Sequence, residues 1–169
     1  METGKTTVIS VLVENKPGVL HLIANLFRRR NFNIESITVG PTEKSEVARM
    51  TITVNEDEKT IDQVVKQVAK QIDVLKVEEL SGGFVMRELS LIKVKVNDAK
   101  ERSDIINFVE VFRGRIIDVS QDSLTIEITG TPEKINAFLN LMKTFGILEL
   151  ARTGITALAR GSKSIKIDQ

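Results

Sequence analysis

Two apolar spacings alternate along this chain, and the order in which they alternate limits the folds that it can adopt. Spacing at every second residue with many β-branched side chains predicts a strand, whereas apolar residues at i, i+3, i+4 and i+7 predict an amphipathic helix. The first half therefore reads strand, helix, strand, strand, helix and strand over residues 6–13, 19–30, 34–39, 47–54, 61–72 and 74–80. The same order recurs over residues 84–96, 105–112, 114–120, 123–130, 135–142 and 146–151.

The order β-α-β-β-α-β is that of the ferredoxin-like unit, in which two helices cover one face of a four-stranded antiparallel sheet. We predict an α+β protein made of two tandem ferredoxin-like βαββαβ domains, at residues 1–80 and 84–169. Ser81-Gly82-Gly83 (81–83) is the predicted linker, and a tail from Thr153 is expected to fray. Asn55 or Asp57 is expected to cap the second helix, and Thr131 with Pro132 the fourth.

Charge and composition exclude several classes of protein. The 169 residues include 24 basic and 23 acidic ones, so the chain lacks the basic excess of a nucleic-acid or membrane-surface protein. Cysteine is absent, which excludes disulfides and thiolate metal sites. The start lacks the apolar core of a signal peptide, and no run reaches the roughly 18 apolar residues of a membrane span. We therefore predict a cytoplasmic protein that binds neither nucleic acid nor membrane.

No residue set in the sequence indicates catalysis. His21, the sole histidine, lies beside Asn25 and Arg28 on the polar side of the first predicted helix, without a nucleophile in a known motif. Phosphate-binding glycine loops are absent too. The run Arg28-Arg29-Arg30 suits the negative end of the helix dipole, so a solvated helix end is favoured over a phosphate site. We predict no catalytic residue and no metal site.

The turn from Asn15 to Leu20 is the candidate binding site. Pro17 has no N–H group, and the N–H groups of Gly18, Val19 and Leu20 begin a helix without intrahelical acceptors. Such donors at the positive helix end suit an anion, and Gly18 leaves the backbone accessible. Because no basic cluster adjoins the turn, a small carboxylate fits better than a phosphate.

A structural explanation of the same turn stays open. Asn15 is a common cap and turn residue, so it could cap the helix while water binds the remaining donors. Asn33, at the exit from the helix, is equally open to two interpretations, since asparagine also tolerates a tight helix-to-strand turn.

Taken together, these segments resemble one family. The stretch "SVLVENKPGVLHLIANLFRRRNFNIESITVGPTE" is similar to the ACT-domain start of the small, regulatory subunits of acetolactate synthase. The resemblance continues through "MRELSLIKVKV", "EVFRGRIIDVS", "EITGTPEKINAFL" and "ARTGITALARG", and so covers nearly the whole chain.

The resemblance implies a protein without catalytic activity or cofactors of its own. Family members bind a large catalytic subunit that carries thiamine diphosphate, magnesium and FAD. They raise its activity and make it sensitive to feedback inhibition, usually by valine, at the first common step of branched-chain amino-acid synthesis. Their ACT domains form homodimers through one continuous eight-stranded sheet, and the effector binds between the two domains.

The resemblance also implies which residues bind the effector. The first domain would be the ACT domain, and one chain would contribute its first turn while the other contributes the start of its second strand. Transferred to this sequence, the valine-binding positions are Asn15, Gly18, Val19, Leu20, Asn33 and Ile34, with weaker transfers at Thr38 and Gln63.

The surface that contacts the large subunit is less well indicated. Arg113, Gly114 and Arg115 form a candidate docking segment for an acidic partner. Alternatively, Gly114 simply ends a helix in the left-handed region. Two further functions are weighed against the regulatory subunit: a stand-alone ACT-type amino-acid sensor that acts on another partner, and an enzyme on a ferredoxin-like fold. Neither a DNA-binding segment nor an acid–base set supports them.

Overall fold

The computed structural model describes residues 6–167. It divides into two compact units: unit 1 runs to Val85 and takes up the chain again from Ile155, and unit 2 is Met86–Gly154. Each unit contains one sheet with two helices, in the predicted order. The two βαββαβ repeats confirm the predicted α+β fold class.

Unit 1 contains a four-stranded antiparallel sheet in the order β2-β3-β1-β4, which leaves β2 and β4 at its edges. Its elements are β1 (Thr6–Glu14), α1 (Val19–Arg30), β2 (Ser36–Pro41), β3 (Val47–Asn55), α2 (Glu58–Ala69) and β4 (Val74–Glu79). Alternate residues of the central strands pack with both helices. This core contains Ile9, Val11, Val13, Met50 and Ile52 from the strands, and Ile23, Phe27, Val64 and Val68 from the helices. The helices therefore cover one face of the sheet, and neither helix packs on the other face.

Unit 2 repeats this arrangement with the strand order β6-β7-β5-β8. Its elements are β5 (Phe84–Lys95), α3 (Ala99–Val111), β6 (Arg115–Val119), β7 (Ser123–Gly130), α4 (Pro132–Met142) and β8 (Ile147–Arg152). Ile92, Ile126 and Phe138 are among its fully buried core residues. β5 begins two residues before the division between the units.

The end of the chain corrects two sequence-based expectations. The tail from Thr153 was expected to fray with the second domain, but Thr156–Ala159 forms a further strand, β9, which pairs with β5. Residues from Ile155 onward group with unit 1 rather than with unit 2. The division after Val85 also lies just beyond the predicted linker at 81–83. A four-residue strand is set by its tertiary neighbours rather than by its own propensity, which is why the local sequence did not indicate it.

Candidate functional site

The start of α1 differs from the other helix starts in residues 6–167. Asp57, Asp98 and Thr131 each cap their helix, because the side chain of each accepts a hydrogen bond from the backbone three residues on. The N-cap of α1 is Gly18, and no side chain in the described part of the chain caps that helix. Its first intrahelical bond is donated by the Leu22 N–H to the Gly18 carbonyl at 2.9 Å. The preceding N–H groups of the first turn therefore lack intrahelical acceptors.

The backbone of Gly18 explains why glycine occupies this position. Its φ is 92°, in the left-handed region that L-residues adopt only with strain. Apart from the adjacent residues, no heavy atom of residues 6–167 lies within 4 Å of where its Cβ would be, so the turn is open. Val19 is buried in the core, whereas the next side chain, Leu20, is 49% exposed. Val19 thus anchors the helix start, and Leu20 offers apolar surface beside the free backbone donors.

Asn15 does not cap α1, so the expectation that it could cap this helix is wrong. Its side-chain Nδ2 donates to the Ser45 carbonyl at 2.9 Å, and its backbone N–H donates to the Glu46 carbonyl at 2.8 Å. These bonds tie the turn before α1 to the turn between β2 and β3. The Ser45 partner is 30 residues away in sequence and Glu46 is the next residue, so local pattern could not reveal them. The side-chain oxygen of Asn15 accepts no bond from the described part of the chain.

Lys16 is held by two carboxylates beside the turn. Its Nζ lies 2.5 Å from Glu14 Oε2 and 2.6 Å from Asp73 Oδ1. Hydrogen bonds from this ammonium to Asp73, the larger cause, and to Glu14 raise the pKa of Lys16 to about 12. Because two carboxylates surround this one ammonium, Lys16 brings no net positive charge to the turn, and the attraction for an anion there comes from the helix start itself.

The remaining predicted effector positions lie around β2 and α2. Asn33 is exposed and donates from Nδ2 to Glu35 Oε1 at 2.8 Å, while Ile34 packs partly against the unit 1 core. Thr38 is half-buried and its Oγ1 donates to the Ile155 carbonyl at 2.8 Å. Gln63 lies on the exposed side of α2.

The strand register places the two halves of the predicted site at opposite ends of one sheet. Thr53 of β3 pairs with both Ser36, at the start of β2, and Val8, near the start of β1. The turn that leads into α1 follows Glu14, six residues further along β1. At about 3.3 Å per residue the two ends are roughly 20 Å apart. One chain therefore cannot bring Asn33 to its own α1 start.

The candidate docking segment in unit 2 has a different backbone from the predicted one. Arg113, not Gly114, adopts the left-handed conformation, with a φ of 54°. Gly114 is needed for space, because a Cβ there would lie 3.1 Å from the Glu127 carbonyl and 3.3 Å from Val109 Cγ1. Arg113 and Arg115 are both exposed, and two exposed apolar residues, Ile117 and Val119, follow them on the edge strand β6.

The other features singled out in the sequence lie on helix surfaces. His21 Nε2 is 2.6 Å from Asn25 Nδ2 on the exposed side of α1, as its helical position predicted. Residues 6–167 contain no group of three or more histidine or acidic side chains placed to hold a metal ion. None of the helices within that range is long and apolar enough to cross a membrane.

Asp98 with Glu101 is a capping pattern at the start of α3 that sequence analysis missed. Glu101 Oε2 also accepts a hydrogen bond from the Asn97 N–H at 2.9 Å.

Comparison with known proteins agrees with this geometry. Residues 9–76 match the model of the ACT domain of acetohydroxyacid synthase small-subunit-like proteins, and residues 87–161 match that of the small subunit of acetolactate synthase. A probable acetolactate synthase small subunit of Methanothermobacter thermautotrophicus is 54% identical over 95% of this chain and 96% of that protein. The acetolactate synthase small subunit of Mycolicibacterium smegmatis is 48% identical over 98% of each chain.

A solved structure gives the same result. The crystal structure of the acetolactate synthase small subunit of Thermotoga maritima superposes with a TM-score of 0.88 at 45% identity, over 94% of this chain and 99% of that one. The predicted resemblance and the ACT assignment of the first domain are confirmed. The chain therefore belongs to the family of acetolactate synthase small subunits.

Proposed function

We propose that this chain is the non-catalytic regulatory subunit of an acetolactate synthase. It binds the large catalytic subunit, raises its activity and makes it sensitive to inhibition by valine. In this proposal thiamine diphosphate, magnesium and FAD belong to the large subunit, and the ligand of this chain is the effector alone.

The uncapped start of α1 is the observation that carries the proposal. The other three helix starts in the described residues satisfy a donor with their own side chains, but no side chain in that range caps the first turn of α1. A carboxylate suits these donors and the positive helix end. The Asn15 side-chain oxygen lies in the same turn and is available to the ammonium group of an amino acid.

A two-fold dimer through β2 would complete the site. β2 is an edge strand, and its last residue, Pro41, pairs with Ala48, next to the end of β1 where the α1 turn begins. If β2 pairs antiparallel with β2 of a second copy, the start of the second β2 comes to lie at this same end. Asn33 and Ile34 of the second copy would then face Asn15 and Gly18 of the first. Each site would take one half from each chain, and the dimer would hold two equal sites.

The apolar part of the proposed site sets its selectivity. Leu20 and the Ile34 of the second copy would accept the isopropyl group of valine. One methylene more or less in such a pocket changes binding by roughly 1–3 kcal/mol. Leucine and isoleucine should therefore compete with valine to a measurable degree. Thr38 and Gln63 stay secondary candidates, since the Thr38 hydroxyl already donates to Ile155.

Inhibition would be a coupling free energy between this site and the distant active site of the large subunit. Such couplings are typically about 1–3 kcal/mol. We propose Arg113 and Arg115 as contacts to the large subunit, because both are exposed next to an apolar edge strand. Charge reversal at these two positions should weaken assembly and leave valine binding intact.

The test is acetolactate formation by a cognate large subunit, with and without this chain, across a valine titration. We expect activation by the chain and loss of that activation with valine. Asn15→Ala and Gly18→Asp should remove valine sensitivity while the holoenzyme still assembles. Activation without any valine response would refute the effector site, and failure either to activate or to co-purify would refute the regulatory role. In that last case a stand-alone amino-acid sensor would be favoured.

A further inference from the structure

The end of the chain closes a pocket on the face of the unit 1 sheet that the helices do not cover. Val11, Val13, Ala48 and Met50 point into the helix-packed core, so alternation directs their neighbours Leu12, Val47 and Arg49 to the opposite face. Polar contacts hold the segment from Ile155 to Ile167 to the rest of unit 1. They include the bond from Thr38 to the Ile155 carbonyl at 2.8 Å, the bond from the Arg160 N–H to the Gly83 carbonyl at 3.3 Å and the ion pair of Lys163 with Glu78 at 2.6 Å.

We call the space beneath this segment the sheet pocket. Its volume is about 290 Å³, close to the lower end of the range for ligand sites. Leu12, Val47 and Arg49 form its floor, the turn at Thr42–Lys44 forms one wall, and Ile165 and Ile167 come from the C-terminal segment. Its lining thus combines four aliphatic side chains with charged groups, and Arg49 supplies the guanidinium at its floor.

Arg49 is the feature that points to a ligand. It is half-buried, and its Nη1 donates to Ser10 Oγ at 3.3 Å, which orients the side chain. Among residues 6–167 no carboxylate lies within the 4.0 Å of an ion pair with it. A partly desolvated charge without a counter-charge is unfavourable, so the site favours an anion.

The neighbouring strand leaves room for that anion. Gly40 of β2 pairs with Arg49, and in the described part of the chain no heavy atom beyond the adjacent residues lies within 4 Å of where a Gly40 Cβ would be. The φ of Gly40 is not in the left-handed region, so backbone conformation does not require glycine there. Lys44 and Lys166 also line the pocket and add positive charge.

We propose that the sheet pocket binds a small carboxylate with a branched aliphatic chain, and that Arg49 binds its carboxylate. The chain of the ligand packs against Leu12, Val47 and Ile165. This site lies on the face of the sheet opposite to α1 and is separate from the effector turn. A 2-oxo acid and an α-amino acid share this chemistry, and the Glu43 carboxylate on the pocket wall would favour the amino acid.

Methyl NMR of the full-length protein tests the proposal, because it reports on both sites at once. The probes are 3-methylbutanoate, valine and 3-methyl-2-oxobutanoate, with isobutylamine as the probe that lacks a carboxylate. Binding in the sheet pocket shifts the methyl signals of Leu12 and Val47, whereas binding at the effector turn shifts those of Val19 and Leu20. The order of affinity between valine and the oxo acid identifies which source the pocket selects.

Arg49→Met keeps most of the aliphatic stem and removes the charge, so the Kd at Leu12 and Val47 should rise about tenfold or more. Arg29→Met, on the exposed side of α1, is the matched control and should leave it unchanged. If Arg49→Met does not fold, the affinities of the wild-type protein for 3-methylbutanoate and isobutylamine are compared instead. The proposal is overturned if only Val19 and Leu20 respond, if isobutylamine binds as well as the acid, or if Arg49→Met binds with unchanged affinity.

Discussion

The shared effector site makes a quantitative prediction for mixed dimers. Gly18→Asp puts a carboxylate beside the free donors of α1, and the left-handed conformation accepts Asp better than most residues. Asn33→Ala removes the side chain that the second copy would contribute. Each variant alone should therefore lack effector binding, because every site in either homodimer has one defective half.

The strand register sets the result for a mixture of the two variants. The two halves of a site are roughly 20 Å apart within one chain, so each site must draw on both chains. In a mixed dimer one site has two defective halves, and the other combines the intact turn of the Asn33→Ala chain with the intact Asn33 of the Gly18→Asp chain. Random pairing of equal amounts gives half mixed dimers, so about a quarter of all sites should be intact.

Equilibrium dialysis with labelled valine counts these sites. The variants are co-refolded at equal concentration, and the stoichiometry is compared with that of the wild type and of each variant alone. We expect wild-type affinity at about a quarter of the wild-type stoichiometry. No binding in the mixture would show that one chain supplies the whole site, and would refute both the β2 pairing and the register argument.

Three further predictions concern the residues around the candidate site and in unit 2. Gly114→Ala should destabilise unit 2 by about 1–3 kcal/mol, since its methyl group would press on a backbone carbonyl, and slower-exchange amides of that unit should lose protection. Arg152→Met should lower the free energy of unfolding by about 3–5 kcal/mol, measured by urea unfolding followed by circular dichroism. The substitution removes the guanidinium whose Nε lies 2.7 Å from Oε2 of Glu88, a residue that is only 6% exposed. Adding Glu88→Gln should recover most of the lost stability. Asp73→Asn should lower the pKa of Lys16 from about 12 toward 10.5 in an NMR titration. The wild-type ion pair should stabilise the fold fully below about pH 10 and lose this effect as the pH rises through about 12.

The regular elements were predictable because each carries its own signal. The stripe from Val19 to Phe27 has helical spacing, and Thr131 with Pro132 opens α4 as expected, with Thr131 Oγ1 accepting from the Lys134 N–H. Asp57 rather than Asn55 caps α2. β2 begins at Ser36 instead of Ile34 and extends through Pro41, since proline is tolerated on an edge strand whose outer side is unpaired.

The parts that sequence could not supply depend on contacts between distant segments. Asn15 bonds to Ser45, Lys16 to Asp73, and Thr38 to Ile155, and none of these partners lies in the same element. At the end of α3, Arg113 takes the left-handed conformation, while the glycine at 114 leaves room for the Glu127 carbonyl of β7. Composition and spacing indicate which residues favour turns, but the packed structure determines which distant residues they contact.

The two repeats share one order of elements, yet only the first leaves its leading helix start free. In unit 2 the equivalent helix, α3, has its first turn closed by Asp98, which accepts from the Glu101 N–H at 2.8 Å, while Glu101 accepts from Asn97. A ligand carboxylate would meet two acidic side chains there instead of unpaired donors, and like charges repel it. The same fold is therefore suited to bind a carboxylate at the start of α1 and to exclude one at the start of α3.

Replacing both acids, in Asp98→Gly with Glu101→Gln, would restore free donors at α3. If the free helix start is what binds the effector carboxylate, this double variant should gain a weak site for small carboxylates, visible as new methyl shifts around Ile105. Unchanged spectra would show that free donors alone do not make the site.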